Sequence, residues 1–247
     1  MPTALIIGGR RGIGAAVVDA LAEAGFDITY TTRTNDPAHH EALTTRHPTR
    51  TFITHNLDLA NRDSVESFAT EIEDAPPYAA LIHVAGTTYD SLAAMMDQGT
   101  AETLMQVNFW SFTRLARAVI RPMTRARAGR IIAIGSVVGA QASLGNAAYG
   151  ASKAALSAYI KSLAIESARR GVTVNCIAPG FVETDMIAAF AEYRKATESR
   201  IPANRYARPE EIAALATFLA SPAASYITGT TIPIDGGLTA SLGIPRN

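Results

Sequence analysis

The chain has little cysteine, no excess of charge of either sign and no long apolar run. Its single cysteine, Cys176, cannot form an internal disulfide, and its place in the apolar stretch 172–177 favours a buried core thiol over a reactive one. The 22 basic and 22 acidic residues give zero formal charge, which argues against a nucleic-acid surface or a strongly basic membrane face. With neither a membrane-length apolar stretch nor a signal peptide, we expect a soluble cytoplasmic protein without a metal site.

Two polar residues four positions apart are the most informative feature that is present. Tyr149-x-x-x-Lys153 lies in a helical pattern, so both side chains share one face. A free phenol has a pKa of about 10, and a nearby cation lowers that value, so the pair can act as a proton donor. Ser136 stands upstream, where a predicted strand meets a glycine-containing loop, and could contact a carbonyl oxygen. Together the three residues predict carbonyl reduction, although each alone has an ordinary structural explanation.

A glycine-rich turn near the amino terminus predicts a cofactor site. The apolar run 4–7 leads into the spacing G-x-x-x-G-x-G and then into a helical pattern over residues 15–24. Glycines let the backbone approach a phosphate closely, and the positive end of a helix favours an anion. A dinucleotide pyrophosphate fits this order better than a purely structural turn. The residues of this predicted site are Gly8, Arg10, Arg11, Gly12, Ile13 and Gly14.

Strand-like and helix-like segments alternate along all 247 residues, and no repeat or linker divides them. The predicted strands cover residues 4–7, 27–31, 51–56, 80–85, 130–134, 173–177 and 231–234. A helix over 63–73 opens with Asp63-x-x-Glu66, which resembles a capping box. The pattern predicts an α/β fold: one Rossmann-type doubly wound parallel sheet of about seven strands over 1–247, with ligands at the carboxyl ends of the strands.

The end of the second predicted strand indicates which cofactor is bound. NAD enzymes commonly place a carboxylate there to bind the ribose 2′-hydroxyl, whereas this chain has Thr32 and Arg33 and no acid. Arg33, with Arg10 and Arg11, would surround a 2′-phosphate, for which a guanidinium is suited. The sequence therefore predicts NADPH, the alternative being that these arginines are solvated loop residues.

These motifs together resemble the short-chain dehydrogenase/reductase family over nearly the whole chain. They are the glycine turn, Asp58, Ala85-Gly86, Asn108, Ser136, Tyr149-x-x-x-Lys153 and Pro179-Gly180. The stretches 134–139, 177–186, 226–229 and 235–237 are more specifically similar to the bacterial 3-oxoacyl-acyl-carrier-protein reductases. The resemblance implies NADPH-dependent reduction of a β-ketoacyl thioester to a β-hydroxyacyl thioester, in fatty-acid or related biosynthesis.

The resemblance also implies a role for each site residue. Tyr149 would protonate the carbonyl oxygen, Ser136 would hold that oxygen, and Lys153 would bind the nicotinamide ribose and lower the tyrosine pKa. Asn108 would anchor a water in the proton relay behind Lys153, unless it only bonds local backbone. For Asp58 a turn or cap role is the alternative. The other implied cofactor contacts are Asp58 with Leu59 at the adenine, Ala85 and Gly86 at the ribose, and Pro179, Gly180, Val182 and Thr184 around the nicotinamide.

Three positions, in two motifs, depart from the family pattern. Ile7 replaces the threonine that usually precedes the first glycine, and the Asn-Asn-Ala-Gly motif reads His83-Val-Ala-Gly86. Both changes remove hydrogen-bonding side chains, which puts the rigidity of the cofactor site in question. Because His83 lies inside a predicted strand, we interpret it as a core histidine and not as a catalytic one.

The substrate is the least determined part of the prediction. An amphipathic lid over about 181–200, with residues 140–144 opposite it, predicts an apolar cleft. The apolar lid residues are Met186, Ile187, Phe190 and Tyr193. Such a cleft suits an acyl chain, but also a terpenoid, an aromatic ketone or a polyketide. A reductase for a free small ketone or alcohol, and a nucleotide-binding scaffold without turnover, are the alternatives; the intact Ser136, Tyr149 and Lys153 argue against the scaffold.

Basic residues predicted beside the cleft suggest a partner. They are Arg125, Arg127, Arg130, Arg169 and Arg170. Arg127 and Arg170 match positions that contact the acyl carrier protein in the resembled reductases, which implies docking of that acidic protein. Arginines near helix ends also complement the helix dipole, which is the alternative explanation. The resemblance further implies a homotetramer, formed through the helices around Asn108 and Tyr149 and the carboxyl-terminal strand.

Overall fold

Seven parallel strands form one sheet in the computed structural model, which describes residues 1–34, 36–185 and 194–241. Their order across the sheet is β3-β2-β1-β4-β5-β6-β7. The second and third strands are added to one side of β1 and the last four to its other side, so the point at which the strand order changes direction lies between β1 and β4. The described strands are β1 (Thr3–Ile7), β2 (Asp27–Thr32), β3 (Phe52–Asn56), β4 (Ala80–His83), β5 (Gly129–Ile134), β6 (Val172–Pro179) and β7 (Thr231–Ile234). This confirms the predicted doubly wound α/β sheet.

Helices cover both faces of the sheet. They are α1 (Gly12–Glu23), α2 (Pro37–Arg46), α3 (Arg62–Asp74), α4 (Gln98–Met105), α5 (Ser111–Ala126), α6 (Ala147–Ser167), α7 (Arg194–Glu198) and α8 (Pro209–Ala220), with a π-helical turn (Gln106–Trp110) joining α4 to α5. Alternate residues of β1 enter different cores: Leu5 packs with α3, α5 and α6, and Ile6 with α1 and α8. Among the described helices, none combines the length and apolarity that a membrane crossing requires.

The predicted elements agree with the structure except at some ends. β4 stops at His83 and not at residue 85, and β6 extends to Pro179. The capping-box prediction for α3 is wrong, because the cap is Asn61, whose Oδ1 accepts from Asp63 N at 2.9 Å and Ser64 N at 3.1 Å. An asparagine two positions earlier therefore satisfies the first free amides of the helix. Within the predicted lid, residues 186–193, and with them its four apolar side chains, lie outside the described residues.

Backbone contacts hold the first turn despite the missing family threonine. Gly8 N donates to Thr31 Oγ1 at 3.0 Å, and Gly9 N donates to Thr31 O at 3.0 Å. On the other side, Ile7 O accepts from Val84 N at 3.0 Å. The turn is therefore fixed by β2 and β4 together, and Thr31 supplies a hydroxyl that the position before Gly8 lacks.

Two buried titratable side chains belong to the core. His83 is 1% exposed and lies edge-on to the Phe112 ring, with Nε2 3.4 Å from Ser111 Oγ. Burial lowers the His83 pKa to about 3, so the imidazole is neutral near pH 7. Cys176 is completely buried, and burial raises its pKa. The predictions that His83 and Cys176 are buried core residues are confirmed.

Candidate active site

The predicted site residues meet at the carboxyl edge of the sheet. Gly8 follows β1, Gly86 follows β4, Ser136 follows β5 and Gly180 follows β6. The loops are close packed: a Cβ on Gly86 would lie 3.3 Å from Asn108 Oδ1 and 3.4 Å from Lys153 Nζ. This edge beside the β1/β4 reversal is where open parallel sheets bind ligands.

The turn before α1 requires glycine at each of its three positions. Gly8 and Gly12 have φ values of +87° and +53°, which L side chains rarely adopt. A Cβ on Gly14 would lie 1.9 Å from Gly8 O, and one on Gly8 would lie 2.8 Å from Ala85 Cβ. Thr184 closes the other side, with Cγ2 3.1 Å from a Cβ built on Gly12. A bare backbone turn at a helix amino terminus, whose first N–H groups lack intrahelical acceptors, fits a dinucleotide pyrophosphate.

Ser136, Tyr149 and Lys153 form a connected series beside this turn. Ser136 begins a short 3-10 turn after β5, with Oγ accepting from Val138 N at 3.3 Å, and its side chain lies close enough to Tyr149 to lower the pKa of the phenol. Lys153 lies one turn further along α6, with Nζ 5.7 Å from the centroid of the Tyr149 ring. The same ammonium donates to Ile134 O at 3.0 Å, at the end of β5. A hydroxyl, a phenol and an ammonium therefore converge on one point of the cleft.

The net pKa of Tyr149 is raised, whereas the sequence predicts a lowered value; the part that Lys153 plays in it stays a prediction. Burial raises the Tyr149 pKa, the Ser136 side chain lowers it, and Asp90 raises it further, with a net upward shift. Burial also lowers the Lys153 pKa to about 8. The physical reason for the net rise is burial, which disfavours the charged form of the phenol.

Asn108 joins two parts of the site from within the π-helical turn. Its Nδ2 donates to Thr87 O at 2.9 Å and to Ser152 Oγ at 3.1 Å, and its Oδ1 accepts from Thr87 N at 2.8 Å. The side chain thus ties the loop after β4 to α6, next to Lys153. The water-anchoring role of Asn108 stays a prediction. Thr87 and Ser152 were missed by the sequence analysis, because no local pattern marks contacts between residues so far apart in the chain.

The corner after β2 differs from the prediction in one respect. An acid does reach it: Arg10 Nε donates to Asp36 Oδ2 at 2.9 Å, and Arg10 Nη1 donates to Thr34 Oγ1 at 3.1 Å. Asp36 was overlooked because it follows the strand end by several residues and caps α2. Arg11 and Arg33 are exposed and form no ion pair in the described part of the chain. Arg11 and Arg33 therefore remain available to an anion, whereas Arg10 already pairs with Asp36.

The remaining predicted contacts lie around the same edge. Asp58 is exposed and closes a turn, with Oδ1 accepting from Ala60 N at 3.0 Å, whereas Leu59 is buried. The turn role of Asp58 is thus visible, and its adenine contact stays a prediction. Gly180 lies against Asp235, where a Cβ would come within 2.9 Å of that side chain's Cβ. The neighbouring Val182 is buried and pairs with Ala207.

The predicted docking arginines do not lie beside this chain's own cleft. Arg127 ends α5 just before β5, Arg170 ends the 3-10 turn just before β6, and both are exposed. Arg127 Nη2 donates to Arg169 O at 3.4 Å, so the arginines do lie together. They precede the amino ends of their strands whereas Ser136 follows a carboxyl end, and the six residues of β5 span about 20 Å. The predicted position beside the cleft is therefore wrong.

Comparisons with known proteins agree with the fold and with the family resemblance. A model of the family described as Enoyl-(Acyl carrier protein) reductase matches residues 7–239. The 3-oxoacyl-acyl-carrier-protein reductase FabG of Vibrio cholerae is 41% identical over 242 residues, covering 95% of this chain and 96% of the relative. The protein of the same name from Escherichia coli is 38% identical over 237 residues, with the same coverage of both chains. The chain belongs to the short-chain dehydrogenase/reductase family, as its motifs predict.

Solved structures with the same fold include dehydrogenases of free acids. A gluconate 5-dehydrogenase from Burkholderia cenocepacia in complex with NADP and tartrate superposes with a TM-score of 0.90 at 31% identity, covering 98% of this chain and 96% of that one. A structure from Beutenbergia cavernae, assigned as an NAD(P) dependent gluconate 5-dehydrogenase with bound NADP, gives a TM-score of 0.91 at 33% identity, covering 97% of each chain. The fold is thus shared by proteins named for different substrates.

Proposed function

We propose that this protein is an NADPH-dependent 3-oxoacyl-acyl-carrier-protein reductase that works in fatty-acid or related biosynthesis. The observation that carries the proposal is the Ser136–Tyr149–Lys153 series, which lies beside a glycine turn suited to a dinucleotide. Identity of 41% over 95% of the chain with a protein named for this reaction supports the same conclusion.

The chain's residues have separate tasks in the proposed reaction. NADPH, when bound, supplies the hydride that reaches the carbonyl carbon of the β-ketoacyl thioester. Tyr149 Oη gives a proton to the carbonyl oxygen, so that a hydride and a proton together yield the alcohol. Ser136 Oγ donates a hydrogen bond to that oxygen and stabilises the negative charge that develops there. Lys153 holds the nicotinamide ribose and, through Asn108 behind it, connects to the proposed proton relay.

The cofactor placement follows the order of the strands. We propose that the glycine turn with Ile13 binds the pyrophosphate and that the arginines after β1 and β2 bind the 2′-phosphate. The residues assigned to the phosphates are Gly8, Arg10, Arg11, Gly12, Ile13, Gly14 and Arg33. Those assigned to the rest of the cofactor are Asp58, Leu59, Ala85, Gly86, Tyr149, Lys153, Pro179, Gly180, Val182 and Thr184. The exposed guanidinium groups of Arg10, Arg11 and Arg33 favour a phosphate over a bare hydroxyl at the ribose.

We propose that the substrate arrives on acyl carrier protein, which docks on Arg127 and Arg170. Both side chains are exposed, and Arg127 Nη2 donates to the carbonyl of Arg169, the residue before Arg170, which suits an acidic partner. We also propose that the protein is cytoplasmic and forms a homotetramer. An association surface is supported by β7, an edge strand of the described sheet, and by the fully exposed Tyr226 near it.

A reductase of a free keto acid or sugar acid is the second candidate. It is favoured by the solved gluconate 5-dehydrogenases, which share the fold at 31% and 33% identity. The relatives named for carrier-linked substrates are more similar in sequence, at 38% and 41%, which is why the first candidate leads.

The deciding experiment is NADPH oxidation measured with acetoacetyl-acyl-carrier-protein, the corresponding free thioester and 5-ketogluconate in parallel. We expect the carrier-linked substrate to give the highest kcat/KM. A preference for 5-ketogluconate would replace the first candidate by the second. The Tyr149→Phe variant is the control, since a signal that survives in it does not come from this site.

A further inference from the structure

One π-helical turn carries two buried amide side chains that reach different loops of the site. Gln106 opens the turn and is 8% exposed, and Asn108 is 1% exposed. Residues two positions apart on a helix point to nearly opposite sides. Asn108 accordingly reaches Thr87 in the loop after β4, while Gln106 Nε2 donates to Leu59 O, at 3.2 Å, in the loop after β3. Both bonds bridge long separations in the sequence and connect the turn to the carboxyl edge.

The two loops lie on opposite sides of the glycine turn. In the sheet order, β3 stands two strands from β1 on one side, and β4 is the neighbour of β1 on the other. The loop that contains Leu59 is also tied to the corner after β2, because Leu57 N donates to Thr32 O at 2.9 Å. Gln106 is therefore connected to the adenosine side of the proposed cofactor, and Asn108 to the nicotinamide side.

The Gln106 bond is placed to fix the position of the loop. It is buried, so water does not replace it easily, and a buried carbonyl without a donor is destabilised relative to one that is bonded. The side-chain bonds within this loop, Ala60 N to Asp58 Oδ1 and Asp58 N to Ser64 Oγ, are exposed and local. Removing the buried donor would leave the loop in its binding conformation for a smaller fraction of the time, which weakens the apparent affinity of a ligand in proportion.

We infer that Gln106 is a positioning residue for the adenosine half of the cofactor, acting through the Leu59 carbonyl. The inference rests on the proposed cofactor placement and adds a residue that touches neither cofactor nor substrate. The two amides of the π-helical turn then have different roles: Asn108 positions the loop and helix next to Lys153, and Gln106 raises the affinity for the cofactor.

The test uses two substitutions of Gln106 and one matched control. Gln106→Met keeps the length of the side chain without the donor, and Gln106→Asn keeps the amide but shortens its reach. Gln98→Met is the same change at an exposed glutamine of α4, whose Nε2 donates to Glu102 Oε1 at 3.1 Å within the helix. The dissociation constant of 2′,5′-ADP, which represents the adenosine half, is measured by calorimetry, and kcat is measured at saturating NADPH.

We expect both Gln106 variants to bind 2′,5′-ADP and NADPH about tenfold more weakly, since a buried hydrogen bond is worth roughly that factor. The Gln98 variant should bind as the wild type does, and kcat should be unchanged in all three. The inference fails if the Gln106 variants keep the wild-type dissociation constant, or if kcat falls with it, which would show a general disturbance of the site. If the wild type itself does not bind 2′,5′-ADP, the proposed cofactor placement fails and this inference with it.

Discussion

The Ser136–Tyr149–Lys153 series and the arginines after β1 and β2 lie on the same edge of the sheet but in opposite surroundings. Lys153 is 4% exposed and bonds a backbone carbonyl, whereas the Arg10 side chain is 43% exposed and forms a surface ion pair with Asp36. In the buried region, desolvation determines the charge states, as the lowered Lys153 pKa shows. In the exposed region, water and salt screen every interaction. Substitutions in the buried region should therefore change activity strongly and independently of salt. Substitutions of the exposed arginines should change it less, and by an amount that depends on salt.

The largest effect is expected at Tyr149. Tyr149→Phe removes the proposed proton donor and keeps the ring, so kcat should fall by about 10²–10⁴-fold, the usual contribution of a general acid. NADPH affinity, measured by fluorescence titration, should change little because the lost hydroxyl acts on the substrate. Retention of most of the activity would show that the proton comes from elsewhere.

The second prediction concerns the pH dependence of stability and uses the core histidine. The His83 pKa is about 3 in the folded protein and about 6.5 when unfolded, so the unfolded state binds more protons between these values. Stability is therefore lost as the pH falls below about 6.5, by about 2 kcal/mol at pH 5. His83→Asn cannot titrate and should lose less stability between pH 7.5 and pH 5 in urea unfolding. Equal losses in both proteins would mean that His83 becomes charged in the folded state at little cost.

Local patterns predicted the sheet and the residues that meet at its carboxyl edge, and failed where burial or distant contacts decide. The strand–turn–helix order at Gly8 and the spacing of Tyr149 and Lys153 are properties of short segments, so the sequence contains them. The Tyr149 pKa depends on how much protein surrounds the phenol, which no short segment reveals. Gln106 was missed for a related reason, since its partner Leu59 lies 47 residues away.

One error could have been avoided from the sequence. Arg127 and Arg170 directly precede predicted strands, and Ser136 directly follows one. In a parallel sheet, residues before strands lie at the amino edge and residues after strands at the carboxyl edge, which is where ligands bind. Arg127 is close in sequence to the strand that Ser136 follows, but it lies at the amino end of that strand and Ser136 at the carboxyl end.

A third prediction addresses the exposed region. Arg33→Ala should raise the KM for NADPH about tenfold, the lower range for a charge-assisted contact because the side chain is exposed. The KM for NADH should hardly change, since NADH lacks the 2′-phosphate, and the difference should shrink as salt is added. Arg121→Ala, at an exposed arginine of α5, is the matched control. Equal effects on both cofactors, or a wild-type preference for NADH, would show that Arg33 does not bind the 2′-phosphate.

The smallest effect is expected at the amino edge, where carrier docking is proposed. Arg127→Glu combined with Arg170→Glu reverses two exposed charges, so kcat/KM for a carrier-linked β-ketoacyl substrate should fall several-fold at low salt and less at high salt. A short free thioester does not need the docking surface, and its kcat/KM should stay at the wild-type value because both residues lie about 20 Å or more along β5 and β6 from the catalytic edge. If the free thioester loses activity equally, the arginines support the fold at the ends of their helices. If neither substrate is affected, the carrier docks on another surface, and Arg127 and Arg170 take no part in binding it.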